Sequence, residues 1–347
     1  MNEIRALDVA GPWGWLSSGV GYHLDNLGSW LIERAPVLGI AYASMLKPWP
    51  PTLVPRPGWK FAEEYYDKRQ WLACRRGALW EVARRKGMIV PLTVPWHGAT
   101  SVEVTLGNDN SLCLYVCGSF EPNEFAFLDR VLKPGMVFID VGANDGYYTL
   151  FAAKRVGPSG KVIAVEPSSR ERAHLRRNLA RNALENVVVI PSALGAESGM
   201  AELKLAHGLH AGHNTLGGFA HDDVVTSTIE RVKIETLDTV AKRLSLNSID
   251  VMKIDVEGAE ASVVNGAIAC IEAWRPVMLM EINEKALRDQ GHSANGLLDL
   301  LTTQLKYDVR IFTDAGAQLE KWKSGVPISA NVAAIPVEKA AALGIAG

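Results

Sequence analysis

The sequence predicts an α/β protein: a mostly parallel sheet with helices on both faces. Three observations carry this. From residue 136 onward, short apolar runs alternate with amphipathic ones. The apolar runs do not alternate polar with apolar internally, as strands buried on both faces would not. The first run ends in a glycine-containing turn that leads straight into a helical pattern, the ligand-binding arrangement of doubly wound sheets.

Composition sets the outer limits. The chain has 347 residues, 48% of them hydrophobic and 21% charged, which excludes a disordered, collagen-like or coiled-coil protein. Its formal net charge of -2 gives no global reason to bind nucleic acid or an anionic membrane, though it leaves room for local patches. The cysteines, Cys74, Cys113, Cys117 and Cys270, fit no zinc or CxxC spacing. They read as buried thiols in a reducing compartment. The first residues lack a basic start and an apolar core, and no run of about 18 apolar residues occurs, so a cytoplasmic protein without a membrane span is expected.

Residues 1–98 differ from the rest, with eight of the ten tryptophans and nine of the seventeen prolines. The proline run at 47–59 excludes helix interior and central strand and reads as an extended strap. Residues 60–86 read as a helix. The tryptophans serve either as anchors onto the main domain or as a sugar-binding surface. Next, 101–106 and 111–117 read as two strands flanking the turn Gly107-Asn108-Asp109-Asn110, a hairpin signal. Residues 121–132 read as a helix stopped by Lys133-Pro134-Gly135.

The alternating part places strands at 136–141, 161–166, 187–190, 249–256 and 276–282, and helices at 147–156, 168–182 and 259–273. The helix at 168–182 carries Arg170, Arg172, Arg176, Arg177 and Arg181, read as a solvated face rather than an RNA surface.

After the first strand come Gly142, Ala143, Asn144, Asp145 and Gly146. The glycines permit close backbone approach, and asparagine tolerates the left-handed region. A dinucleotide fingerprint would need glycine where Asn144 and Tyr147 stand, which disfavours a dehydrogenase. Glu166 ends the second strand, where an acid can accept hydrogen bonds from ribose hydroxyls or cap the following helix. Turn and acid together indicate an adenosine-containing ligand.

FIDVGANDGYYTLFAAK, AVEPSSRERAHLRRNLARN, SALG, VKIETLDTV and MKIDVEGAEASVVNGA follow one another in order. Together with the lead-in GSFEPNEFAFLDRVLKPG they resemble the FkbM family of S-adenosylmethionine-dependent methyltransferases, over about 99–285. The resemblance implies a class I methyltransferase Rossmann-like fold, a seven-stranded sheet whose last pair is antiparallel, with 306–312 and 328–335 as candidates. It implies that Asp140, Gly142, Ala143, Asn144 and Gly146 surround the methionine part of the cofactor, that Glu166 holds the ribose, and that Ser192 and Ala193 lie at the adenine. Asp145 stands where the family usually has an apolar residue, and faces either water or the pocket. The domains expected are a Trp/Pro-rich extension at 1–98, the methyltransferase domain at 99–337 and a tail at 338–347.

Methyl transfer from a sulfonium mainly requires positioning, but a hydroxyl acceptor must also lose a proton. Asp255 and Glu281, at neighbouring strand ends, are the first candidates, with Glu257 and Glu260 nearby. They could act as a base, ligate magnesium, or cap the next helix. No metal ligands are assigned, although a divalent ion is compatible with these acids. The loop 207–223 carries His207, His210, His213 and His221, of which His213 is the preferred base. The sequence thus predicts an S-adenosylmethionine-dependent O-methyltransferase that releases S-adenosylhomocysteine and acts on a sugar, polysaccharide or natural-product hydroxyl, with no nucleic-acid partner. The alternatives are a cofactor-binding module without turnover and an RNA or protein methyltransferase.

Overall fold

The computed structural model describes residues 28, 30–32, 34–51, 70–210, 212–219, 224–312, 319–323, 328 and 330–344. The expected strap at 52–59 and helical residues 60–69 lie outside these.

An N-terminal layer comes first. Helix α1 (Pro36–Met45) starts on a proline, whose missing N–H costs nothing in a first turn. Helix α2 (Gln70–Lys86) ends in Arg84, Arg85 and Lys86, matched to the negative pole of the helix. Arg76, fully buried, donates to the carbonyls of Val116 and Leu46 and so ties α2 to both of its neighbours. Strands β1 (Val90–Pro95) and β2 (Ser101–Leu106) pair antiparallel around a turn at His97–Ala99.

This corrects the expected hairpin. The partner of 101–106 is 90–95, and 109–117 is helical, so the boundary drawn at 98/99 falls inside a hairpin. The reason is local. The Asn108 side chain accepts from Ser111 N at 2.8 Å and caps a helix. The run from Cys113 to Cys117 is buried throughout, which a solvent-facing hairpin arm could not be. Cys113 and Cys117 therefore sit one helical turn apart.

Helix α3 (Pro122–Val131) leads into the main sheet. In chain order this holds β3 (Val137–Val141), α4 (Tyr147–Val156), β4 (Lys161–Val165), α5 (Ser169–Arg181) and β5 (Val187–Ile190). An excursion follows, β6 (Ala193–Leu194), β7 (Gly199–Ala206) and β8 (Thr226–Glu235), which form a separate three-stranded sheet. The chain returns through α6 (Leu237–Arg243) to β9 (Val251–Ile254), α7 (Glu260–Asn265), α8 (Ile268–Trp274) and β10 (Val277–Ile282). It closes with α9 (Glu284–Asp289), α10 (Ala294–Asp299), β11 (Tyr307–Phe312), β12 (Leu319–Lys321) and β13 (Ala330–Pro336).

The sheet order is β12-β11-β13-β10-β9-β3-β4-β5. The five strands from β10 to β5 are parallel, and β13 runs antiparallel between β10 and β11. The expected antiparallel last pair is present, and the short β12 adds an eighth strand at the edge. The single helix read over 259–273 is two, α7 and α8, divided at Gly266 and Ala267. A β-carbon on Gly266 would stand 1.9 Å from the Gly195 carbonyl, so the break brings the chain against the end of β6.

One apolar core lies between the sheet and the N-terminal layer, a second between the sheet and α6–α10. Trp96 is fully buried in the first and donates to the Tyr147 carbonyl at 3.1 Å. Trp80 is also buried and donates to the Asn108 carbonyl. These two tryptophans are anchors. The arginines of α5 are largely consumed internally: Arg170 binds Glu171 and Asn214, Arg172 the Glu166 carbonyl, and Arg177 and Arg181 both bind Glu103.

Candidate active site

After β3 the chain continues to β4 and β5 on one side, then returns to β9 and β10 on the other. The carboxyl ends of β3 and β9 are thus a topological switch point, where ligands bind in such sheets. An open cleft of about 890 Å³, solvent at its mouth included, lies there.

One half of the cleft is made by backbone. Gly142 and Ala143 both donate to the Val165 carbonyl at 3.0 Å, which folds the turn back on β4. Gly142 has φ +80, and a β-carbon there would stand 1.9 Å from the Asp255 carbonyl. Only glycine lets the turn press on the end of β9 in this way. Asn144 adopts φ 48, and its Oδ1 is buried with no hydrogen-bond partner in the protein. The Glu166 carboxylate accepts from Asn144 N and Ser168 N, both at 2.8 Å, one on each oxygen. Each oxygen keeps a lone pair for a further donor. Burial, with the Glu171 charge behind it, pushes Glu166 up to about 8.

Gly142, Ala143, Asn144, Glu166, Ser192 and Ala193 line the cleft. Asp140 and Gly146 do not. Asp140 lies beneath the turn, fully buried, and accepts from the Thr149 hydroxyl at 2.5 Å. Gly146, at φ +92, packs on Leu175 at the start of α4, where a β-carbon would come within 2.4 Å. Asp145 faces neither water nor the cleft. It is 5% exposed and accepts from Asn110 and the Tyr147 hydroxyl, so it joins the turn to the N-terminal layer.

The other half is made by charged side chains. Lys253 Nζ is 2.7 Å from Asp255 Oδ2 and 4.6 Å from the centre of the Tyr148 ring. Burial alone would lower the Lys253 pKa, but Asp255, Asp140 and Glu121 raise it well above the usual lysine range. Burial likewise opposes the charge on Asp255. The Lys253 ammonium and a hydrogen bond from Glu281 outweigh it and hold Asp255 below the carboxylate norm. The Asp255 charge, then burial, push Glu281 far up, which favours a Glu281 hydroxyl that donates a hydrogen bond to Asp255.

Asp255 lines the cleft, Glu281 stands behind it, and His213 flanks it. His213 Nδ1 is 3.2 Å from Glu257, and its Nε2 is 3.9 Å from Asp109. Burial disfavours the imidazolium, but Glu257, Asp109 and Asp255 outweigh it and raise the His213 pKa. His210 reaches Asp109 at 3.0 Å. Gly212 lies on Asn144, so the histidine loop crosses the cofactor turn. His207 is not brought to the cleft, and His221 lies outside the described residues. Glu260, the first residue of α7, accepts from Val256 N and Gly258 N and so braces the turn that precedes the helix. Glu257 does not cap. It sits at φ 52 ahead of α7 and turns into the cleft.

Sequence reasoning missed Lys253, Asn110, Phe120 and Tyr148. Lys253 carried a signal, being a lone charge inside an apolar strand, DVMKIDV. Asn110 and Phe120 flank the segment misread as a strand, and Tyr148 lies in the first turn of α4; none of the three carried a signal. Among the described residues no tryptophan lines the cleft. Oxygens of Asp255, Glu257 and Glu281 fall within 4.8 Å of one another, a spacing one cation could bridge. Lys253 already supplies a positive charge at that point.

The family described as the methyltransferase FkbM domain matches residues 140–309. This region is an FkbM methyltransferase domain. The FkbM domain is similar to part of the AMB antimetabolite synthetase AmbE of Pseudomonas aeruginosa, 28% identical over 220 residues, 53% of this chain and 10% of that one. It is also similar to methyltransferase sdnD of Sordaria araneosa, 29% identical over 44% of this chain and 72% of that one. A third relative is the 31-O-demethyl-FK506 methyltransferase FkbM of Streptomyces tacrolimicus, 31% identical over 39% of this chain and 60% of that one. The chain thus spans a tenth of the first relative and 72% and 60% of the other two. S-adenosylmethionine is the cofactor of an FkbM domain, and the cleft fits it: an orphaned amide oxygen on Asn144, two open lone pairs on Glu166 and a cleft of sufficient size.

Proposed function

We propose that this protein is an S-adenosylmethionine-dependent O-methyltransferase acting on a hydroxyl of a sugar, polysaccharide or natural-product scaffold in the cytoplasm. The observation that carries the reading is the pairing of Asp255 with Lys253 beside the cofactor turn, which favours the charged form of a carboxylate that lines the cleft. The relative named for 31-O-demethyl-FK506, a methyl acceptor at oxygen, supports the same chemistry.

When bound, the cofactor supplies an electrophilic methyl group on sulfur. Gly142, Ala143, Asn144, Glu166, Ser192 and Ala193 seat it, with Asp140 and Gly146 shaping the turn from behind. Asp255 would accept a hydrogen bond from the acceptor hydroxyl and hold its proton once the methyl group has passed from sulfur to that oxygen. A carboxylate of low pKa suffices, because the hydroxyl becomes strongly acidic as its oxygen gives up electron density. Glu281 holds Asp255 in place by donating to its other side. His213, paired with Glu257, is the alternative base and would act only above its raised pKa. Phe120 and Tyr148 give the acceptor side an aromatic wall.

Calorimetric titration with S-adenosylmethionine, S-adenosylhomocysteine and NAD tests the cofactor. Binding of both sulfur ligands and not of NAD is expected. Transfer of labelled methyl groups into a panel of hydroxylated acceptors tests the reaction; labelling of amines alone would overturn the hydroxyl.

A further inference from the structure

Asn110 lies outside the matched residues 140–309, yet it lines the cofactor cleft. Its place is fixed locally. The Asn108 side chain caps the single helical turn Asp109–Ser111. Trp80 donates to the Asn108 carbonyl at 2.8 Å, and Arg84 pairs with Asp109 at 3.0 Å, so α2 holds that turn at two points.

An amide can present its oxygen or its N–H, and here a neighbour decides which. Asn110 Nδ2 donates to Asp145 Oδ2 at 3.2 Å. The same oxygen accepts from the Tyr147 hydroxyl at 3.1 Å, and the Asp145 carbonyl accepts from Asn178 Nδ2 at 2.9 Å. With two donors on it, Oδ2 acts as an acceptor, and the Asn110 amide keeps its N–H toward Asp145 and its oxygen free. Asp145 is 5% exposed, so the protein supplies these partners and solvent does not.

Asn110 Oδ1 has no partner among the described residues. Asn144 is in the same condition, its Oδ1 buried and unpaired. The two side chains come together at Gly212, which also lines the cleft. A β-carbon there would stand 3.1 Å from Asn144 Nδ2 and 3.9 Å from Asn110 Oδ1. Two unpaired amide oxygens, with an acid behind one of them, suit a group that gives hydrogen bonds and carries positive charge, and they disfavour a carboxylate. S-adenosylmethionine has one such group, the α-ammonium. Its sulfonium is positive but has no N–H, and its hydroxyls and adenine amine are neutral.

We propose that Asn110, supplied by the N-terminal layer, belongs to the cofactor site and accepts, with Asn144, hydrogen bonds from the α-ammonium of S-adenosylmethionine, and that Asp145 is the positioning residue that turns the Asn110 oxygen to this task. The inference rests on the cofactor and not on the choice of methyl acceptor.

Calorimetry on the full chain tests it, with S-adenosylhomocysteine and its analogue lacking the α-amino group as the two probes. The parental protein should prefer S-adenosylhomocysteine about a hundredfold. Asn110→Ala should weaken S-adenosylhomocysteine about tenfold and leave the analogue unchanged, so the preference falls about tenfold. Asp145→Leu should lower the preference by a similar factor, whereas Asp145→Asn, whose amide oxygen can still accept from Asn110, should keep it. Asn110→Ala decides the case even if Asp145→Leu does not fold. No preference in the parental protein, equal weakening of both probes by Asn110→Ala, or weakening of neither would overturn the role of Asn110. The parental preference in both Asp145 variants would overturn the positioning role of Asp145.

Discussion

The two halves of the cleft are built from different materials. The cofactor half is backbone: a glycine turn, amide hydrogens and one acid held by two of them. The other half, proposed to meet the acceptor, is side chain: Lys253, Asp255, Glu281, Glu257 and His213, contributed by β9, β10, a loop and a turn. Backbone geometry tolerates little change and holds one shape. A lattice of charges can be altered one residue at a time. On the proposed function, the contrast makes the methyl donor the fixed property of the chain and the methyl acceptor the adjustable one.

The sharpest way to break this contrast is at Gly142. Gly142→Ala places a β-carbon on the Asp255 carbonyl in a left-handed backbone and should cost about 3–5 kcal/mol of stability in urea denaturation. A loss below about 1 kcal/mol would mean the turn is compliant. Glu166→Ala should weaken S-adenosylmethionine binding by about 2–4 kcal/mol in calorimetry. The pH dependence has a definite sign. With its pKa raised from 4.5 to about 8, Glu166 contributes stability fully present below pH 4.5 and lost as pH rises through 8. Ribose hydroxyls favour the charged carboxylate, so cofactor affinity should climb with pH toward 8 and then level; Glu166→Gln should flatten that climb.

On the acceptor half, Asp255→Asn should lower turnover about a hundredfold and leave cofactor affinity nearly intact. If turnover survives, the base is elsewhere and His213→Asn is the next variant to assay. The smallest effect concerns the loop. His213 has a raised pKa, so its pairing with Glu257 contributes stability below pH 6.5 that disappears as pH rises through the raised value. The contribution is about 0.5–1 kcal/mol, and the melting temperature of His213→Asn should show no such step.

The parallel strands were legible because each is a closed apolar run between turns, and the cofactor turn because its chemistry lies in consecutive residues. The segment 108–117 was not. Its apolar residues carry no period that separates strand from helix; the Asn108 cap is local, but the burial of Cys113 to Cys117 is tertiary. Lys253 stood in plain sight, but its meaning depends on Asp140, Glu121 and Asp255 arriving from three distances along the chain. Glu257 looked like a helix-start acid because sequence cannot show that the left-handed turn at 257 precedes the helix.

The position of β13 has a consequence for how the chain is made. It is the last strand along the chain among the described residues, yet it lies inside the sheet, hydrogen-bonded to β10 on one side and β11 on the other. During synthesis, β10 and β11 emerge first and present open, apolar edges until residue 336 has cleared the ribosome. A stalled or shortened chain would therefore carry a nearly complete sheet with a slot in it, a template for another chain's strand. The family match ends at residue 309, but the folding unit does not.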